Sequence, residues 1–477
     1  MPPITALRRF VKDETGSILV IWAFSLVALL GFLGLIFDMG RLGSTQAELQ
    51  SFADSVSLAA AAELDGAGDA LTRAQAAADT LINDSQTFAE GDRTLSAADI
   101  ALTFYRPGPE GRFLRDAGLV TTNPRQARFV QAQVAEHSIG TGFGKLFTSY
   151  GEADAINTGA AARAVAGFSL EACNVAPVAV CLPSIDFDAA TSIGDTLALN
   201  TSASIDLNPG RIALVDTLTD QLDGLSICAG LLGGALDACL VAAREPQTAC
   251  TGQGGLTISA DADGTDALHA INTRFGQFAS TASGLAGDPD FSGGPNVLTG
   301  LTDALGLCLP LGGLLGAEQV GLPADDCLIS GGCSVQGSGE WSAGRAAYVA
   351  AHYDSNDPFP EVQTRFEFYQ AEISAAASGS LPLLGGLLGG GFVPQLCAPQ
   401  ENQDPKRRLM VVAGIDCLSA EVDATVSVPP VQQFFEVFAL GPAEGGELHV
   451  EITACLGGAC GGGNLETEVR DIVRLVE

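Results

Sequence analysis

No cysteine precedes position 173 in this chain of 477 residues, no Cys-x-x-Cys pair occurs, and positive charge is scarce. The 23 Lys and Arg face 56 Asp and Glu, for a formal charge of −33. Binding a nucleic-acid backbone needs clustered basic side chains, so no nucleic-acid partner is expected. Peripheral adhesion to anionic lipid headgroups is opposed for the same reason. Aromatic residues make up only 6%, with Trp22 and Trp341 the two tryptophans, so the core is expected to be built from Leu, Val, Ile, Ala and Phe. There is no Gly-x-Ser-x-Gly elbow, His-Glu-x-x-His helix or Walker A loop. Their absence removes the common motif-bearing hydrolases and nucleotide enzymes, and no enzyme is expected. No acidic run is long enough to mark a cation-binding tract, so the acidic excess reads as a solubilising surface.

The twelve cysteines are Cys173, Cys181, Cys228, Cys239, Cys250, Cys308, Cys327, Cys333, Cys397, Cys417, Cys455 and Cys460. An even number, confined to the part of the chain farthest from the N-terminus, suits disulfides formed in an oxidising compartment. Zinc is the competing explanation. The four histidines, His137, His269, His352 and His449, are scattered and give no ligand spacing, so neither metal nor other cofactor is expected. Spacing does not fix connectivity. The short-loop pairs, Cys173 with Cys181 and Cys455 with Cys460, are the first expectation.

Residues 17 to 37 (SILVIWAFSLVALLGFLGLIF) carry no charge. As a helix this run is roughly 31 Å long, the thickness of a bilayer's hydrocarbon core. A cleaved signal peptide has a shorter apolar region and a small-x-small cleavage site, and the sequence after Phe37 offers none. Arg8, Arg9 and Lys12 precede the run; Asp38, Glu48 and Asp54 follow it, with Arg41 the one nearby positive charge. The positive-inside rule then puts the N-terminus in the cytoplasm and the remainder outside, in agreement with the cysteines.

Beyond the membrane, Leu42, Leu49 and Val56 recur every seven residues, with Phe52, Ala59 and Ala60 beside them and polar residues between. This stripe predicts an amphipathic helix that continues the membrane helix outward as one rod. The stripe can pack either on this chain's own domain or on a partner's helix. A second helix is predicted over 68–82. Alternating stretches at 99–105, 127–134 and 153–165 predict strands. From Phe168 the texture changes to cysteines and Gly/Leu tracts at 231–234, 312–316 and 381–391, read as loops. Residues 212–216 and 409–415 read as buried strands, while 348–353 and 365–373 fit helix or strand. The fold class is therefore α+β. The organisation is a cytoplasmic N-terminus at 1–16, a membrane helix at 17–37, an amphipathic helix at 38–66, a membrane-proximal α+β region at 67–167 and a cysteine-containing, mixed α/β periplasmic region at 168–477.

An ordered set of residues runs through the N-terminal part: Gly16 before the apolar helix, an Asp38-Met39-Gly40-Arg41 turn after it, then Leu49-Gln50, then Asp54 ahead of the alanine-rich 59–62. This segment, about 10–64, resembles the N-terminal region of TadG-like Flp pilus-assembly proteins. The stretches 173–183, 209–216, 271–278, 363–369 and 406–417 resemble features of those proteins' periplasmic region. The likeness implies a non-enzymatic, inner-membrane component of a Flp (Tad) pilus, anchored through Gly16, Asp38, Gly40, Arg41, Leu49, Gln50 and Asp54. It implies other pilus-assembly proteins as partners, among them minor pilin-like TadE-like subunits. Two departures matter. TadE-like proteins carry Glu five residues past the processing glycine, where this chain has Ile21, so the helix is expected to stay attached. The Asp-x-Ser-x-Ser site of the von Willebrand A domains found in some relatives is absent. An envelope adhesin sharing the anchor, or an anchored periplasmic hydrolase, are the alternative readings. The carboxylates of 261–266, and Asp354 with Asn356 and Asp357, are read as solvated turns rather than calcium loops.

Overall fold

From Gly16 to Ala61 the sequence contains no proline and is rich in Leu and Ala, so little opposes a continuous helix. In the computed structural model it forms one, α1 (Gly16–Ala61). The structure describes residues 16–81, 95, 99–108, 111–139, 158–173, 175–201, 208–215, 227–228, 230–232, 234–244, 248, 250–252, 264–278, 280–295, 301–302, 308–309, 322–353, 355–378, 404–418, 431–455 and 469–477. After α1 the chain reverses. Gly66 takes a φ of +88°, which only glycine adopts without strain. Helix α2 (Ala70–Leu81) then runs back along α1, with Ala74 near Ala60 and Ala61 and Ala78 near Leu49 and Val56. Arg73 holds the reversal through Glu63, Asp65 and Asp69.

The remaining elements follow in order. They are β1 (Ile100–Tyr105), β2 (Phe129–Ile139), β3 (Thr158–Ala172), β4 (Val178–Cys181), β5 (Thr196–Asn200), β6 (Ile212–Leu214), α3 (Gly234–Ala242), β7 (Thr251–Gly252) and α4 (Gly264–Asn272). Next come the two-residue strands β8 (Leu301–Thr302) and β9 (Cys308–Leu309), then α5 (Asp326–Ile329), α6 (Ser342–His352) and α7 (Arg365–Ser378). Strands β10 (Leu409–Ile415), β11 (Val431–Ala439), β12 (Glu447–Cys455) and β13 (Val469–Leu475) complete the α+β fold. The first sheet runs β1-β2-β3-β13 with β7 also on β3, and the second runs β5-β12-β11-β10-β4-β6. The strand expected at 409–415 is β10. The segments 348–353 and 365–373, open between helix and strand, fall in or at the end of α6 and α7. The Gly/Leu tracts at 312–316 and 381–391 lie outside the described residues.

Strand alternation explains the layering. On β10, Met410 and Val412 face a core shared with α3 and α4, whereas Val411, Ala413 and Ile415 face the other way. There they meet Phe168 and Leu170 of β3, the end of α1 at Ala60 and Ala61, and Leu64 just beyond it. A strand buried on both faces reads as an unbroken apolar run, as β10 does. The second sheet is thus covered by helices on one side and by the first sheet and α1 on the other. A smaller core of Trp341, Tyr348, Phe368 and Tyr369 carries α6 and α7 against Leu409 and Phe438.

Candidate membrane anchor and helix clamp

The first half of α1 exposes its large apolar side chains. Leu19 is 74% exposed, Trp22 70% and Phe24 73%, and the large apolar residues through Met39 are all more than half exposed. Each such side chain gains about 1.5–3 kcal/mol on leaving water. This is one helix long and apolar enough to cross a membrane. Gly16 is its first residue.

Asp38-Met39-Gly40-Arg41, a turn in the resemblance, is helical throughout and Gly40 has no positive φ, so these residues belong to the rod expected to continue the membrane helix outward. A single glycine weakens a helix by only about 1 kcal/mol, and the packing that starts at Leu42 outweighs it.

From Leu42 onward, α1 lies on the first sheet. Leu49, Phe52, Ala53 and Val56 are buried against Ala132 and Val134 of β2 and Ala160, Ala162 and Ala164 of β3, with Leu42 at the margin. Alternate alanines on β3 give the helix a shallow bed, so backbones approach closely. Of the two partners open to the Leu42, Leu49 and Val56 stripe, the chain's own sheet takes it. Polar clamps flank the apolar seam. Gln46 Nε2 donates to the carbonyl of Ala161 at 2.8 Å, and Gln50 Nε2 to that of Arg163 at 3.0 Å. Gln50 also donates to Asp54 Oδ1 at 2.9 Å, so Asp54 orients the clamp. Leu49, Gln50 and Asp54 thus divide the work: one fills the core, one grips the strand, and one steers the grip.

Residues 16–63 match the model of the Tad family, described as "Putative Flp pilus-assembly TadE/G-like". No curated protein and no solved structure matches the chain. The Tad segment is α1 with the two residues after it, so it takes in the membrane stretch and the helix clamp together. The match covers 48 of the 477 residues and, over that segment, supports a pilus-assembly role. Outside the Tad segment lie all the described strands and every cysteine.

Sheet pairing, not sequence proximity, decides two of the described disulfides. Ala172 of β3 pairs with Thr251 of β7, which sets Cys173 beside Cys250, and these two are bonded. Cys181 ends β4 opposite Ile415 of β10, within 5.5 Å (Cα to Cα) of its partner Cys417. The expected Cys173–Cys181 bridge is therefore corrected: the two residues leave β3 and β4 toward different strands. Cys228–Cys239 and Cys327–Cys333 close short loops. Cys455 is also disulfide-bonded, and Cys460, suggested as its partner, lies outside the described residues, as do Cys397 and the side chain of Cys308.

The sequence did not reveal a buried charge hub where α7 meets the second sheet. Arg365, Asp325 and Glu451 are fully buried. Arg365 pairs with Asp325 and, at 3.2 Å, with Glu451; it also donates to the carbonyls of Pro323 and Gly194 and lies over the Trp341 ring. Glu451 accepts the N–H groups of Arg365 and Phe366, capping α7 from a neighbouring strand. Burial pushes its carboxyl up to about 7, against the pull of Arg365. Arg274 and Arg407 instead donate to the carbonyls of Val241, Ala242 and Ala243, the C-terminal end of α3. These donors complement that end's unpaired carbonyls and negative dipole. No sequence pattern marks these arginines, because their partners lie tens to hundreds of residues away.

Among the described residues no group of three or more His, Cys, Asp or Glu is placed to hold a metal. Asp357 accepts Arg345 at 2.7 Å and the Phe359 N–H, a structural role. Asp354 and 261–263 lie outside the described residues.

Proposed function

We propose that this protein is a membrane-anchored assembly or scaffolding component of a Flp (Tad) type pilus, working by binding rather than bond chemistry. The observation that carries this reading is the coincidence of the Tad match with α1, which is both the lipid-suited segment and the pillar of the first sheet. Gly16, Asp38, Gly40 and Arg41 belong to the membrane part of the anchor; Leu49, Gln50 and Asp54 join it to the body. Arg8, Arg9 and Lys12 support a cytoplasmic N-terminus in the inner membrane. The disulfides support a periplasmic body. Other pilus-assembly proteins, including minor pilin-like TadE-like subunits, are the partners. They meet surfaces other than Leu42, Leu49 and Val56, which are engaged within the chain.

The test is a clean deletion, complemented from a plasmid, with surface pili counted by electron microscopy. Loss of pili on deletion and return on complementation is the expected result. Pili unchanged in number and length would sink an essential assembly role.

A further inference from the structure

We propose that α1 is an orienting strut, fixing the height and rotational phase of the folded body over the bilayer, and that assembly depends on this phase. The inference rests on the pilus-assembly reading above and adds a mechanical requirement to it.

The membrane exit contains no linker. The apolar run ends at Phe37 and sheet packing begins at Leu42, five helical residues or about 7.5 Å later. Gly40 and Gly43 fall in or beside this gap, yet both are helical and neither has a positive φ. The body therefore begins on the same rigid helix that leaves the membrane.

The two clamps fix the axial register. Gln46 meets Ala161 and Gln50 meets Arg163. Four residues of helix advance about 6 Å and two residues of strand about 6.7 Å. A match that close holds only when α1 and β3 run nearly parallel, so β3 inherits the direction in which α1 crosses the bilayer. Rotation about the helix is blocked at the far end. Ala60, Ala61 and Leu64 are enclosed between the two sheets, and buried Arg128 reaches the carbonyl of Gln432 across the same junction.

The experiment inserts residues between Met39 and Gly40, ahead of the first sheet contact, in the full-length chain. Two alanines rotate the body by about 200° and raise it by about 3 Å; seven alanines return it to within about 20° and raise it by about 10 Å. A Gly-Gly-Ser-Gly insert makes the exit flexible. In the deletion strain, at matched membrane levels, the seven-alanine chain is expected to restore pili and the other two are not. Equal rescue by all three, or failure of all three, overturns phase dependence while the deletion phenotype still upholds the assembly role. A deletion without phenotype removes that role instead. The strut is then judged in lipid nanodiscs, by energy transfer from a dye carried on an unnatural amino acid at Gln133 to an acceptor lipid. A narrow distance distribution is expected for the native and seven-alanine chains, and a broad one for the flexible insert. Equal widths overturn the strut whatever the pili do.

Discussion

Glu451 holds Arg365 twice, accepting its backbone N–H at 2.8 Å and its guanidinium at 3.2 Å on the same carboxylate oxygen. One strand residue therefore both caps α7 and neutralises the first side chain of that helix. The hub contains two carboxylates for one guanidinium, and that imbalance gives it a pH signature.

Burial raises the Glu451 carboxyl from 4.5 to about 7. A carboxyl raised on folding binds its proton more readily in the folded state, so its stabilising effect is present at low pH and fades as pH rises from about 4.5 to about 7. The swing is roughly 3 kcal/mol at most. Asp195, also raised by burial, acts in the same direction, whereas Asp326 and Asp357 are lowered and lose their contribution only below the usual aspartate range. The detergent-solubilised chain is expected to melt higher at pH 5 than at pH 7.5. Glu451→Gln is expected to flatten this slope; an unchanged slope would remove Glu451 as its source.

Arg365→Met is expected to destabilise far more than Glu451→Gln, by about 3–5 kcal/mol, because two buried carboxylates lose their only cation in the hub. Denaturant titration of both variants, read through Trp341, makes the comparison.

Gln50→Ala is expected to weaken the helix clamp by about 1 kcal/mol, the net value of a hydrogen bond. Faster hydrogen exchange over 159–165 is the local readout, with membrane insertion unchanged. Leu49→Ala is expected to cost about 2–5 kcal/mol, since the side chain is fully buried. Cysteines placed at Leu42, Leu49 or Val56 are expected to give no crosslink to another protein. A crosslink at Leu49 would show that the helix leaves its sheet.

Peptide mapping without reduction is expected to recover Cys173 linked to Cys250 and Cys181 linked to Cys417. A Cys173–Cys181 peptide as the main species would contradict the strand pairing. Replacing both Cys181 and Cys417 with alanine is expected to destabilise by about 2–4 kcal/mol, because the bridge closes a loop of 236 residues.

What the sequence made legible was local. The seven-residue recurrence of Leu42, Leu49 and Val56 gave the helix, and the apolar run of 409–415 gave β10, because each pattern lies within one element. The same stripe could not say what covers it, since Ala160, Ala162 and Ala164 become a helix bed only once β3 is paired. The motif around Gly40 does not show that the helix runs through it, because the packing that holds it there starts further along, at Leu42. Cys181 found Cys417 through strand register, and Arg365 found Asp325 and Glu451 through the docking of α7 on the second sheet. Such long-range partners leave no periodicity behind.

Strand β13 pairs with β3 along Ala166 to Ala172, and Arg115 forms an ion pair with Glu477 just beyond it. During synthesis, β3 emerges before the whole second sheet, and its β13 side stays unpaired until all of that sheet has appeared. The first sheet is therefore among the first parts to be made and the last to close. A chain that stops short of β13 leaves that edge of β3 bare, at the end of the strand away from the apolar half of α1, until the second sheet and β13 are in place.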